Sequence, residues 1–207
     1  MFKRKELLDS FSRKVLIQDI KTKIQKIFWP SLCNMFIVRG LDDFIMVEPK
    51  IKCEFIPITS NNYNRVREFR DDYRILEYKN KLTQNEIGYF AEHEGKIIGS
   101  IWATINKTNS PIIAKTYMRL MPNEALIHDI VTAESFRGMR VASFMVINIS
   151  SVLLEKYGAS RIIIDVNTRN RPSLRMMKSI GLQIDHRMLS VSAFGTLLFN
   201  RTMKRAG

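Results

Sequence analysis

Cysteine is scarce: Cys33 and Cys53 are the two in 207 residues. A secreted disulfide scaffold needs more, so both thiols are expected reduced and the compartment cytoplasmic. No spacing between them and His93, His128 and His186 suits a metal site, and no metal is expected. Long apolar runs are missing as well. Charges interrupt every candidate before the roughly 20 residues that a membrane-spanning helix needs. The basic start MFKRKELLDSFSRK has no apolar segment behind it, so a secretory signal is not expected. Repeats and low-complexity tracts are lacking. Acidic residues are outnumbered, 20 against 33 basic, which leaves a net charge of +13. That excess favours acidic partners (phosphorylated cofactors, nucleotide-linked substrates, nucleic acid or anionic lipid) without choosing among them. No aromatic–basic stacking pattern or known nucleic-acid motif is present, so nucleic acid is not an expected partner.

What is there fits one full domain with an extension in front of it. Residues 1–50 differ from the rest. Over 11–28, Val15, Leu16, Ile20, Ile24, Ile27 and Phe28 mark one face of a helix, with Lys14, Lys21, Lys23 and Lys26 on the remaining surface. Trp29-Pro30 is expected to end that helix. The stripe is expected to bury against the domain or against a second copy in a homodimer. Peripheral contact with an anionic membrane is the alternative, since an aromatic end and a basic face also suit an interfacial helix. An apolar segment at 35–38 and a connector at 41–49 complete this part.

The domain is placed at 51–207. Residues 52–58 read as a strand, and 62–70 and 72–81 as two helices. Residues 88–92 and 96–106 read as a hairpin turned by Glu94-Gly95. Strands are expected at 112–121 and 125–132. A helix over 137–157, apolar around most of its circumference, ends at Gly158. Three successive isoleucines at 161–166 suit a strand covered on both faces. A helix over 173–180 enters through Asn170-Arg171-Pro172 and closes at Gly181. Strands at 182–189 and 194–201 finish the chain. The order predicts an α/β fold with a mixed sheet.

Chemistry concentrates where the strand at 125–132 runs through a short loop into the long helix. A helix start presents unpaired amides and the positive end of the dipole, which together make an anion site. Gly138 lets the backbone approach a ligand closely, Ala142 keeps the first turn clear, and Arg137 and Arg140 add positive charge.

These residues resemble the coenzyme A motif of the GNAT N-acetyltransferase superfamily, Arg/Gln-x-x-Gly-x-Gly/Ala. The chain reads Arg137-Gly138-Met139-Arg140-Val141-Ala142, with Thr132 at the place of a leading valine. A second feature follows in order, Asn170-x-x-Ser173 with Gly181-Leu182. The resemblance covers about 52–201. It implies a GNAT-type sheet, mixed but mostly antiparallel and flanked by helices, with the N-terminal helix as an extra. It also implies acetyl-CoA as acyl donor. The amides of Gly138 to Ala142 would then hold the pyrophosphate, Val131 and Thr132 would pair with the pantetheine arm, and Asn170 with Ser173 would touch the cofactor from the next helix. Two positions depart from the pattern. Arg140 replaces a glycine, and Met177 stands where many members carry the tyrosine thought to protonate the leaving thiolate.

Acyl transfer to an amine needs a base, because the nucleophile must be neutral. Asp129 leads, His128 has the better-placed intrinsic pKa, and Glu124 is a third option. Strand alternation allows one of His128 and Asp129 to reach the acceptor. The acceptor is expected to be a primary amine, on an acidic or nucleotide-linked molecule if the charge balance guides the choice. The competing reading is a coenzyme A-binding or scaffold module without catalysis, supported by Met177 and Arg140.

Overall fold

Alternating short strands from Phe28 onward assemble one eight-stranded sheet in the computed structural model, which describes residues 28–204 apart from Thr116 and Gly195. The strands are β1 (Phe28–Val38), β2 (Glu54–Pro57), β3 (Ile87–His93), β4 (Lys96–Ile105), β5 (Ile112–Lys115), β6 (Met118–Leu120), β7 (Glu124–Thr132), β8 (Arg161–Asn167), β9 (Ile184–Ala193) and β10 (Thr196–Lys204). The large sheet runs β10-β9-β1-β8-β7-β4-β3-β2, and β5-β6 form a separate hairpin. Neighbours are antiparallel throughout except the pair β7–β8. The mixed, mostly antiparallel α/β architecture is therefore as expected. Among the described residues, no helix is long and apolar enough to cross a membrane.

Among the described residues, three α-helices flank the sheet: α1 (Arg74–Thr83), α2 (Val141–Ser151, continued by a π-helical turn at Val152–Lys156) and α3 (Arg171–Ser179). Helix α2 buries Val141, Met145, Val146, Ile147 and Ile149, which is why its sequence shows little amphipathic contrast. It packs with α3 on one face, in a core with Phe36, Ile101, Ile127, Ile162, Ile164 and Met177. On the opposite face α1 and a 3-10 turn at Tyr63–Glu68 cover Trp102, Phe90 and Ile97. The β5–β6 hairpin covers Met35, Leu126 and Ile163 on that side. The isoleucine run of β8 is thus buried from both faces, with Ile163 on one side and Ile162 and Ile164 on the other. The β3–β4 turn takes left-handed φ at both Glu94 (50°) and Gly95 (76°), as a two-residue hairpin requires.

Five sequence expectations change here. The helix expected to run to Phe28 and stop at Trp29-Pro30 gives way to strand β1 from Phe28, and residues 1–27 lie outside the described residues. Strand β1 sits between β8 and β9 inside the sheet, so the sheet draws on residues 28–38, ahead of the boundary placed at 51. Pro30 is tolerated because pairing with β8 begins only at Cys33, which leaves the start of β1 an edge on that side. The long helix begins at Val141 rather than 137, because Arg140 takes φ 62° and closes off the loop before it. The helix read over 62–70 is a 3-10 turn, and the single strand read over 112–121 is the β5–β6 hairpin.

Candidate functional site

Strands β7 and β8 separate within the sheet. Their parallel pairing runs from Glu124↔Arg161 to Ile127↔Ile164 and stops, although β7 continues to Thr132 and β8 to Asn167. Each strand stays held on its outer side. Val131 and Thr132 pair with Ser100 and Gly99 of β4, while Asp165 and Asn167 pair with Met35 and Cys33 of β1. The inner edges therefore open as a wedge. The bend arises at a β-bulge: the register against β4 shifts between Ser100 and Trp102, and Asp129 takes φ 47°. Beyond Ile127 no described strand pairs with the inner edge of β7, whose backbone groups are free to bond an extended ligand as an added strand would.

The wedge leads to the start of α2. A 3-10 turn at Glu134–Phe136 is followed by Gly138 at φ +80° and Arg140 at φ 62°. Among the described residues, no protein acceptor meets the amides of Gly138, Arg140, Val141, Ala142 and Ser143. Five donors at a helix start, with the dipole behind them, form an anion cradle. A Cβ at Gly138 would meet nothing within 4 Å, so the loop is open there. The Lys50 amide donates to the Met139 carbonyl at 3.0 Å and braces the loop from behind. Arg140 occupies a left-handed conformation that costs a non-glycine residue about 1 kcal/mol. This accounts for glycine being usual at that motif position. Arg137 is exposed and pairs with Glu134 at 3.2 Å.

The second motif is placed differently from the first. Asn170 Oδ1 accepts from the Ser173 amide at 3.2 Å and caps α3, with Pro172 in the first turn. Met177 is fully buried in the core and faces no opening. Thr132 Oγ1, at the end of β7, is buried without a partner among the described residues.

A charged cluster lies on the α1 face at the wedge. Because of the bulge, His128 and Asp129 both face it, against the alternation expected of adjacent strand residues. Asp129 accepts from Lys81 Nζ at 2.9 Å and from Arg70 Nη1 at 3.3 Å. Burial alone would raise its carboxyl. The hydrogen bond and charge of Lys81, then the charges of Arg70 and His128, hold it below the usual value instead. His128 Nε2 lies 3.1 Å from Thr104 Oγ1 and 3.3 Å from Glu86 Oε2. Burial, then the charges of Lys81 and Lys115, lower its pKa to about 4, so its ring is neutral at pH 7. Across the wedge, Asp165 of β8 accepts from Lys115 and from the Tyr117 hydroxyl, each at 2.5 Å. Glu124, the third base candidate, is buried, bonds the Met121 amide and pairs with Arg161, at the closed end of the β7–β8 pair. Glu86 and Asp165 escaped the sequence reading, since neither belongs to a motif and both enter only through tertiary contacts.

The sequence model of the acetyltransferase (GNAT) family matches residues 54–182. No curated protein matches the chain. Solved structures of similar fold include an acetyltransferase of the GNAT family from Colwellia psychrerythraea, at 13% identity and TM-score 0.57 over 86% of this chain and 57% of that one. A Drosophila protein gives 12% identity and TM-score 0.54 over 90% of this chain and 58% of that one. The ribosomal-protein-alanine N-acetyltransferase of Brucella melitensis gives 10% identity and TM-score 0.51 over 65% and 94%. The chain spans somewhat over half the length of the first two, and at these identities the likeness is one of fold.

Proposed function

The chain belongs to the GNAT acetyltransferase family, and on that premise we propose that it transfers an acetyl group from acetyl-CoA to a primary amine. One observation carries the reading: five amides with no protein partner among the described residues converge at the open start of α2, at the end of a wedge whose inner strand edge no described strand pairs. The donor's diphosphate fits that cradle. Gly138, Arg140, Val141 and Ala142 would hold it through their amides, with Arg137 and Met139 completing the loop. Val131 and Thr132 would bond the pantetheine arm along the inner edge of β7. Asn170, with its oxygen engaged in the cap, has its amide group left for the cofactor, beside Ser173.

The acceptor would approach from the α1 face, where His128 and Asp129 mark the mouth of the wedge. The ion pairs of Asp129 make it a weak proton acceptor, so its role here is to hold Lys81 and Arg70 in place. A backbone amide near Val131 or Thr132 would stabilise the developing oxyanion. The net charge of +13 supports an acidic or nucleotide-linked acceptor.

Calorimetry with acetyl-CoA tests this. The full chain binds, and Gly138→Pro weakens binding at least about 100-fold, because proline fixes φ near −65° where the loop needs +80°. Unchanged affinity in the variant contradicts the site. Binding without thiol release from any amine supports the non-catalytic module, for which Met177, buried where a tyrosine would serve, is the structural argument.

A further inference from the structure

Residues 46–53 cross helix α2 on the way to β2, and they leave a cavity of about 530 Å³ against it. Ligand sites commonly measure about 300–1,000 Å³. Three hydrogen bonds pin the crossing, so the space is built into the fold. The Ile45 amide bonds the Ile180 carbonyl just past α3 at 2.9 Å, the Lys50 amide bonds the Met139 carbonyl at 3.0 Å, and His93 Nδ1 meets the Lys52 carbonyl at 2.8 Å. The His93 ring in turn packs edge-on to Phe136 of the loop before α2, with centroids 5.8 Å apart. The crossing segment precedes residue 54, where the family match begins, so that match does not account for it.

A single peptide unit separates the cavity's rim from the amide cradle. Lys50 holds the Met139 carbonyl, and the Arg140 N–H of the same trans peptide points the opposite way, with no protein acceptor among the described residues. A diphosphate on the cradle therefore has the crossing segment one peptide away. The lining has the composition that a nucleoside phosphate needs. Val47, Phe144 and Ile147 form an apolar wall, and Phe55 fixes the Phe144 ring edge to face at 5.9 Å. Lys50 and Lys52 are exposed and form no ion pair among the described residues. Asn148 donates through Nδ2 to the Phe144 carbonyl at 2.8 Å, which leaves Oδ1 as an acceptor. Glu48 is the acid of the lining, and two lysines outweigh it. A purely apolar ligand would leave the lysines unused, and a small free anion would leave the wall uncovered. Adenosine 3′-phosphate, the far end of coenzyme A, has both parts.

We propose that this cavity seats the adenosine end of the acyl donor, with the 3′-phosphate on Lys50 and Lys52, the adenine against Phe144 and Val47, and the adenine amino group on Asn148 Oδ1. The assignment rests on the acyl-transfer reading and deepens it. The cradle recognises a diphosphate, which many nucleotides carry, whereas the 3′-phosphate distinguishes coenzyme A from them. Charge-assisted bonds to phosphate are the stronger kind, so the two lysines make the crossing segment a specificity element for the donor.

The test is calorimetry on the full chain with acetyl-CoA and with acetyl-dephospho-CoA, which lacks only the 3′-phosphate. The wild type binds acetyl-CoA about tenfold tighter or more, as bonds to a charged group imply. Lys50→Ala combined with Lys52→Ala abolishes that preference by weakening acetyl-CoA alone. Alanine keeps the residue 50 amide, so the brace on Met139 survives. Equal affinities in the wild type, or a preference that the double variant retains, overturns the assignment and leaves acyl transfer standing. Cys53 supplies a second reading, since it lines the cavity half-buried while Cys33 is buried. Saturating acetyl-CoA slows alkylation of Cys53 by iodoacetamide, and saturating pyrophosphate, which fills the cradle alone, does not. No protection by acetyl-CoA, or equal protection by pyrophosphate, overturns the placement. Failure of the wild type to bind acetyl-CoA at all removes the acyl-transfer reading together with the subsite, an outcome distinct from loss of the preference.

Discussion

His128 is kept neutral by its surroundings, and that has a consequence for stability. Its folded pKa of about 4 lies below the free value of 6.5. The unfolded chain therefore binds the proton more tightly, and stability falls as pH drops from 6.5 towards 4. At about 1.4 kcal/mol for each tenfold in proton affinity, the full effect is about 3 kcal/mol. Glu86 opposes it, because a raised folded carboxyl favours the native state as pH falls. In thermal melts between pH 7 and 4, His128→Gln is expected to lose less stability than the wild type. Parallel curves for the two would contradict the buried neutral ring. These residue-scale facts were half legible. Asp129 and His128 could be named because they precede a recognisable loop. Their shared orientation could not, since the bulge is set by pairing with β4 at Trp102↔His128 and Ser100↔Val131, far away along the chain.

The long helix and the strand before it were readable from periodicity, glycine placement and local charge, all of which act over a few residues, although the helix was expected to start at 137 and starts at Val141. Strand β1 was not. Residues 28–38 contain Pro30 and follow a lysine-rich helical pattern, and they become a strand because β8 and β9 offer edges on both sides. Met35, Phe36 and Val38 are buried, and at about 1.5–3 kcal/mol each they contribute on the order of the 5–15 kcal/mol that a domain retains in total. A chain beginning at residue 51 is therefore expected to lose cooperative melting by circular dichroism, while one beginning at 28 keeps it. Cooperative unfolding of the 51–207 chain would show that β1 is dispensable. The wedge escaped the sequence for the same reason: it is defined by where pairing stops, and the registers of β7 with β8 and β4 follow from neighbours distant in the chain.

For the molecule as a whole, the arrangement separates two tasks. One face of the sheet, with α2 and α3, supplies the core and aims a helix start at the wedge. The other, with α1 and the β5–β6 hairpin, places charged side chains over its mouth. The gap between β7 and β8 lies between them, so donor and acceptor would meet there. The most direct test is a backbone amide spectrum of the full chain titrated with coenzyme A. The account predicts that the amides of Gly138, Arg140, Val141, Ala142 and Ser143 shift first and furthest, followed by those of Val131 and Thr132. Saturable shifts confined to other residues, with these five unmoved, would contradict it.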